Sequence, residues 1–120
     1  MSSRCPCTSG LPLEACCGRV LADHAAATTP EQLMRSRFSA FALGDAEHLL
    51  RTWHASTRPA TLDLDETIRW TRLDVERTDT ALVEFTAFYR GADGPGKQHE
   101  TSRFVREDDL WFYLDGVSLI

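Results

Sequence analysis

Every cysteine of this chain falls between positions 5 and 17, in the run Cys5-Pro6-Cys7-Thr8-Ser9-Gly10-Leu11-Pro12-Leu13-Glu14-Ala15-Cys16-Cys17. One pair is separated by a single residue and the other is adjacent. A disulfide needs Cα atoms about 4.4–6.8 Å apart, which strains a bridge between direct neighbours such as Cys16 and Cys17. A disulfide framework also spreads its cysteines to staple distant loops, and here they span only one short loop. The two-residue spacing of a thiol-redox motif is absent. Four thiolates from one loop can instead surround a tetrahedral ion at about 2.3 Å. Ser9-Gly10 supplies the turn, and Pro6 stiffens the first pair. The spacing favours metal binding, with Cys5, Cys7, Cys16 and Cys17 as the candidate ligands. His24 is a spare candidate, but four sulfurs already fill the shell, so it reads as a surface residue.

The length suits one domain with a small appendage, divided here as a hook over 1–27 and a body over 28–120. Hydrophobic residues make up 42 % of the chain, enough for a core in the body. The net charge of −5 argues against general nucleic-acid binding, which requires basic surface. Arg4 and Arg19 flank the cysteines and offset the charge of a four-thiolate centre. No apolar run reaches the roughly 18–20 residues of a membrane span, and the start lacks a signal-peptide pattern. Thiols that hold a metal point to a cytoplasmic location.

The body begins with a helix. Thr29 is a natural N-cap, Pro30 suits the first turn, and Gln32 follows at capping-box spacing. Leu33, Met34, Phe38, Phe41 and Ala42 repeat at helical period, and Gly44 closes the helix. Asp45 can cap a second helix with Leu49, Leu50 and Trp53 inward. His54–Thr67 reads as irregular. Four alternating runs follow, near Ile68–Arg77, Ala81–Arg90, Gln98–Arg106 and Leu110–Leu119. Their short connections imply an antiparallel meander. Helices followed by strands imply an α+β fold, with helices packed on one face of a curved four-stranded antiparallel sheet.

Alternation places Val83, Phe85, Ala87 and Tyr89 on one face, with Glu100, Ser102 and Phe104 in the third run and Trp111, Tyr113 and Asp115 in the fourth. If these sets face the helices, Glu100 and Asp115 need partners inside, and Arg35, Arg37, Arg58 and His54 are available. Two readings follow: a structural ion-pair network, or a polar pocket for a small molecule. In the second, His54 is a candidate general acid or base, Glu100 or Asp115 orients it, an arginine holds an anion, and Trp70 and Trp111 form walls.

The cysteine run resembles the SEC-C motif, the zinc hook at the C-terminus of the SecA translocase. That resemblance implies Zn2+ on Cys5, Cys7, Cys16 and Cys17. The stretches Met34–Phe41, Thr52–Pro59, His99–Phe104 and Trp111–Gly116 extend the resemblance to the YchJ family, whose members carry an N-terminal SEC-C hook and a body similar to nuclear transport factor two. It implies a cone-shaped body. Longer members carry a second hook after the body, and none is present by Ile120, which implies one metal site. The family brings no agreed reaction. The SecA hook contacts a chaperone partner and the ribosome, so docking to a protein or ribosome partner is the first expectation. An enzyme or small-molecule binder is the second. A metal carrier or sensor, for zinc or copper(I), is the third. Cones of this type pair through the outer sheet face, which makes a homodimer an expected assembly. A closed hook should depend on its metal for folding, and its loss should spare the body.

Overall fold

The computed structural model describes residues 3–117. The cysteine segment forms a turn, a 3-10 turn at Leu13–Ala15 and a short helix α1 (Cys17–Ala22), followed by a 3-10 turn at His24–Ala26. The long helix α2 (Pro30–Leu43) starts where its capping signals place it. The Thr29 hydroxyl accepts the Gln32 N–H at 3.2 Å, and the Gln32 side chain reaches back to the Thr28 N–H at 2.7 Å. Gly44 ends it in the left-handed region, φ 77°, which only glycine enters without strain. Helix α3 (Ala46–Arg51) is capped by Asp45, whose carboxylate accepts the His48 N–H at 3.0 Å. Residues 54–67 are irregular, as the sequence indicates.

Four strands follow, β1 (Arg69–Thr78), β2 (Leu82–Gly91), β3 (Gly94–Glu107) and β4 (Leu110–Val117), paired antiparallel in the order β1-β2-β3-β4. The expected end of the last strand, at Leu119, lies outside the described residues. Helix α2 packs across the inner face of the sheet against β1, β2 and β4. Val83, Phe85, Ala87 and Phe104 are buried beneath it, with Ser102 beside them. The α+β arrangement expected from the sequence is the one that forms.

The end of α3 is clamped to β4. The Tyr113 N–H donates to the Thr52 carbonyl at 2.8 Å, and the His54 N–H donates to the Tyr113 carbonyl at 2.7 Å. This parallel bridge sets Trp53 against Tyr113, ring centroids 5.1 Å apart.

One expected face assignment fails. Arg103 pairs with Asp115, but the next residue, Phe104, pairs with Tyr113, so Leu114 is an extra residue in β4. A bulge of this kind reverses the alternation beyond it. Asp115 therefore lies beside the exposed Arg103, with Arg103 Nε at 2.6 Å from its carboxylate. It sits on the outer face, not among the inner acids.

His48 is fully buried between α2 and α3. Its Nδ1 accepts from Arg51 at 3.0 Å, so Nε2 carries the proton and donates to the Ser36 hydroxyl at 3.0 Å. Ser36 passes its own proton to the Leu33 carbonyl at 2.7 Å. Burial, and then the Arg51 charge, push His48 down to about 4. The unfolded chain binds a proton here below about pH 6.5, and the folded chain does not until near pH 4. Stability is therefore full above 6.5 and falls as the pH drops towards 4, by about 2 kcal/mol at pH 5. Urea midpoints at pH 7.5 and 5 check this by comparison with His48→Gln, which should lose about 2 kcal/mol less over that interval. Parallel losses in the two proteins would remove the linkage from His48.

Candidate metal centre and the cavity behind it

The turn that carries the cysteines is fixed before any metal is considered. The Cys5 N–H donates to the Leu11 carbonyl at 2.9 Å, and the Thr8 N–H donates to the Cys5 carbonyl at 3.0 Å. Gly10 takes φ 93° at the tip, and the Arg4 guanidinium bonds its carbonyl. Helix α1 then turns Cys17 back towards the first pair.

The four Sγ atoms lie within 4.8 Å of one another. Cys7 and Cys16 Sγ are 3.6 Å apart, and Cys16 and Cys17 Sγ are 4.0 Å apart. A tetrahedron with Zn–S bonds of about 2.3 Å has edges of about 3.8 Å. A disulfide would bring two sulfurs to about 2.05 Å, and all four thiols are free. The donor set fits a closed four-thiolate ion. Crowding also splits the acidities: the Cys17 thiol donates to Cys7 and pulls it down to about 4, while the same contact and burial push Cys17 up.

The hook is not an appendage in packing terms. Cys5, Cys7 and Cys17 are at most 2 % exposed and share one apolar cluster with Leu33, Phe38, Leu73 and Val83. Cys5 Sγ lies 3.5 Å from the Ser39 hydroxyl on α2. Arg35, one turn earlier, donates to the Cys7 carbonyl at 3.3 Å and approaches its sulfur at 3.9 Å, while Glu31 holds its Nε at 2.9 Å. Thr8 is bonded to β1 in both directions, donating to the Leu73 carbonyl at 3.1 Å and accepting the Leu73 N–H at 3.2 Å. These contacts run against the expectation that loss of the metal would spare the body, because the hook and the body share one core. Helix α2 carries Ser39 and Arg35 towards the hook on the same turns that carry Phe38 into the body.

The remaining candidates separate. Arg35 serves the hook, and Arg58 donates to the Leu50 carbonyl at 3.4 Å. His54 bonds the Ser56 hydroxyl at 2.7 Å and Glu107 at 3.0 Å. A pocket formed by His54, Glu100 and Asp115 together is thus not what the fold builds: the clamp to Tyr113 carries His54 to the β3–β4 turn, and the bulge carries Asp115 outward. Trp111 is also not a wall, since its indole N–H donates to the Thr28 carbonyl at 3.2 Å. His24 is neither ligand nor free surface. Its Nε2 donates to the Trp111 carbonyl at 2.6 Å.

A cavity of about 260 Å³ does open between α2 and the inner sheet face. Of the candidates, Arg37, Glu100 and Trp70 line it, joined by Trp53 and Tyr113. Trp53 reads as core in the sequence, because a tryptophan after an apolar helix face gives no sign of a void beside it. On the opposite sheet face, His99 Nε2 sits 2.9 Å from Glu84 and 3.2 Å from Glu76, a surface group held by two carboxylates.

Comparison with known proteins agrees with this architecture. Residues 29–116 match the model of the middle, nuclear transport factor two-like domain of YchJ. A UPF0225 protein of Streptomyces coelicolor is 51 % identical over 96 % of this chain and 95 % of its own length. A UPF0225 protein of Deinococcus radiodurans is 48 % identical over 94 % of this chain and 88 % of its own. The solution structure of a SEC-C motif-containing protein from Rhodopseudomonas palustris superposes with TM-score 0.82 at 31 % identity, covering 97 % of this chain and 98 % of that one. A crystal structure of a SEC-C motif-containing protein from Psychrobacter arcticus, 24 % identical over 97 % of this chain and 82 % of that one, shares the fold with TM-score 0.71.

Proposed function

This chain belongs to the YchJ family, and from that premise we propose that its four cysteines hold one Zn2+ as a structural centre, locking a docking hook onto the body. The observation that carries the reading is the sulfur cluster itself: four thiols within 4.8 Å, three of them buried in the core. A closed four-sulfur shell leaves no position for water, which suits a structural ion and not hydrolysis. Zinc would supply a cross-link between the Cys5–Cys7 turn and α1. The buried Cys5–Ser39 contact and the two bonds of Thr8 to Leu73 argue against the rapid exchange a carrier needs. Reduced protein purified from cells is expected to contain one zinc per chain by elemental analysis. Absence of metal, or thiols recovered as disulfides, would overturn the assignment.

The outward edge of the hook supports the docking half. Leu11 is 50 % exposed at its tip, and the exposed Arg4 and Arg19 flank it in a chain of net charge −5. An apolar contact with a positive rim suits an acidic partner surface, such as that of a ribosome, better than it suits free solvent. Zinc-loaded protein should sediment with ribosomes at low salt. Leu11→Asp should reduce that association several-fold without altering the melting temperature. No association, or association indifferent to Leu11, would remove the ribosome as the partner. No helix among the described residues is long and apolar enough to cross a membrane, and a reducing cytoplasm is where such a thiolate centre persists.

A further inference from the structure

The cavity between α2 and the sheet is lined by a buried guanidinium, Arg37, and by Trp53, whose indole N–H finds no acceptor among the described residues. Arg37 is 3 % exposed. One guanidinium nitrogen donates to the Leu49 carbonyl at 2.8 Å and to the Thr52 hydroxyl at 2.7 Å, both neutral acceptors. The rest of the group lies over two rings, with Cζ 4.3 Å from the Tyr113 centroid and 5.2 Å from that of Trp53. Among the described residues it has no carboxylate partner. A buried cation without a counter-charge is costly, and ring faces offset only part of that cost. Beside it, the Trp53 indole N–H is buried with no acceptor among the described residues, which is costly if nothing occupies the space.

The other walls define what would fit. Phe41, Trp70 and Phe85 present flat apolar surface. Glu100 lies on the β3 side of the cavity, steadied by the rim residue Gln98 at 3.0 Å. Burial raises the Glu100 carboxyl above its ordinary value, and neither it nor Tyr113 neutralises Arg37. At about 260 Å³ the space is below the roughly 300–1,000 Å³ of drug-sized sites, so it takes one or two rings.

We propose that this cavity binds a small planar carboxylic acid, its carboxylate on the Arg37 guanidinium and the Trp53 indole N–H, its ring between α2 and the sheet, and a donor group towards Glu100. Arg37 supplies a charge-assisted contact to the carboxylate, and Trp53 adds a directional hydrogen bond. Water can fill a void of this size, but it leaves the aromatic walls wetted and the guanidinium without an anion. The binding contacts involve none of the four cysteines, and the proposal does not rest on any docking by the hook.

The test uses the zinc-loaded full chain with 4-hydroxybenzoate as probe and 4-hydroxybenzamide as its uncharged counterpart. Titrations are followed by calorimetry and by the indole N–H signals of the three tryptophans, Trp53 being assigned through Trp53→Phe. The Trp53 signal is expected to move saturably with the acid, with dissociation constants up to the millimolar range. The amide should bind at least tenfold more weakly. Arg37→Met should lose at least tenfold in affinity for the acid, and Trp53→Phe, which keeps a ring and removes one donor, several-fold with the melting temperature preserved. No saturable shift, equal binding of acid and amide, or unchanged affinity in the folded Trp53→Phe protein would each overturn the proposal.

Discussion

Stripping the metal is expected to destabilise the whole chain by ~4 kcal/mol, a fall of about 15 °C in the melting temperature at this size. Structural zinc is worth about 10–16 kcal/mol in isolated finger peptides, and only about a third of that needs to reach the body here. The route is explicit. Cys5 and Cys7 pack with Phe38 and Leu73 in one cluster, so sulfurs that lose their ion leave crowded thiols inside the core. Thr8 then loses its fixed position on β1, and Arg35 its anchor on the Cys7 carbonyl. Calorimetry of reduced protein with and without a strong chelator measures the shift, and near-ultraviolet circular dichroism reports whether the aromatic core loosens with it. Cys17→Ser should reproduce the chelator result. A shift below about 3 °C with an unchanged aromatic signal would show that the body stands without its hook.

Phe38→Ala is expected to cost about 3–5 kcal/mol, against a total of roughly 5–15 for a domain of this kind. Phe38 is 2 % exposed, stands edge-on to Trp70 at 6.0 Å, and is shared by the core cluster and the cavity wall. Deleting its ring enlarges a void that already exists, which limits how far the neighbours can collapse to fill it. Urea unfolding of zinc-loaded protein measures the loss. Phe38→Leu, which keeps most of the apolar volume, should lose under half as much. A cost below about 1.5 kcal/mol for the alanine would mean that α2 can settle onto the sheet.

These two experiments also separate the two parts of the molecule in function. Metal removal acts on the hook first and reaches the cavity through α2. The Phe38 substitution acts on the cavity first and reaches the hook through the same helix. If zinc is structural and the cavity is a separate site, Arg37→Met should leave the metal content at one per chain while weakening acid binding at least tenfold.

The parts of this architecture written in local sequence were readable. Thr29, Pro30, Gln32 and Gly44 marked the long helix because capping and left-handed turns depend on the residue itself and its immediate neighbours. Asp45 marked the next helix for the same reason. The four strands showed in their alternation, and the clustering of the four sulfurs in their spacing. Glu100 and Ser102 were placed on the inner face correctly, because no bulge interrupts β3 against β2. Asp115 was not, since one extra residue at Leu114 inverts everything beyond it and nothing in Tyr113-Leu114-Asp115-Gly116 announces the slip.

Sequence alone determined the family, through motifs similar to those of known relatives, and also the fold class, the cysteine set and which residues of β2 and β3 face the helices, because these last depend on short-range period, on turn chemistry or on residues that are neighbours in the chain. Tertiary structure alone decided that the hook shares the body's core, that His54 pairs with Glu107 and not with Glu100, and that Arg37 and Trp53 meet beside a void. Those facts depend on how closely α2, α3 and β4 approach one another. That approach is fixed by the packing of many side chains at once, and no single stretch of the chain encodes it.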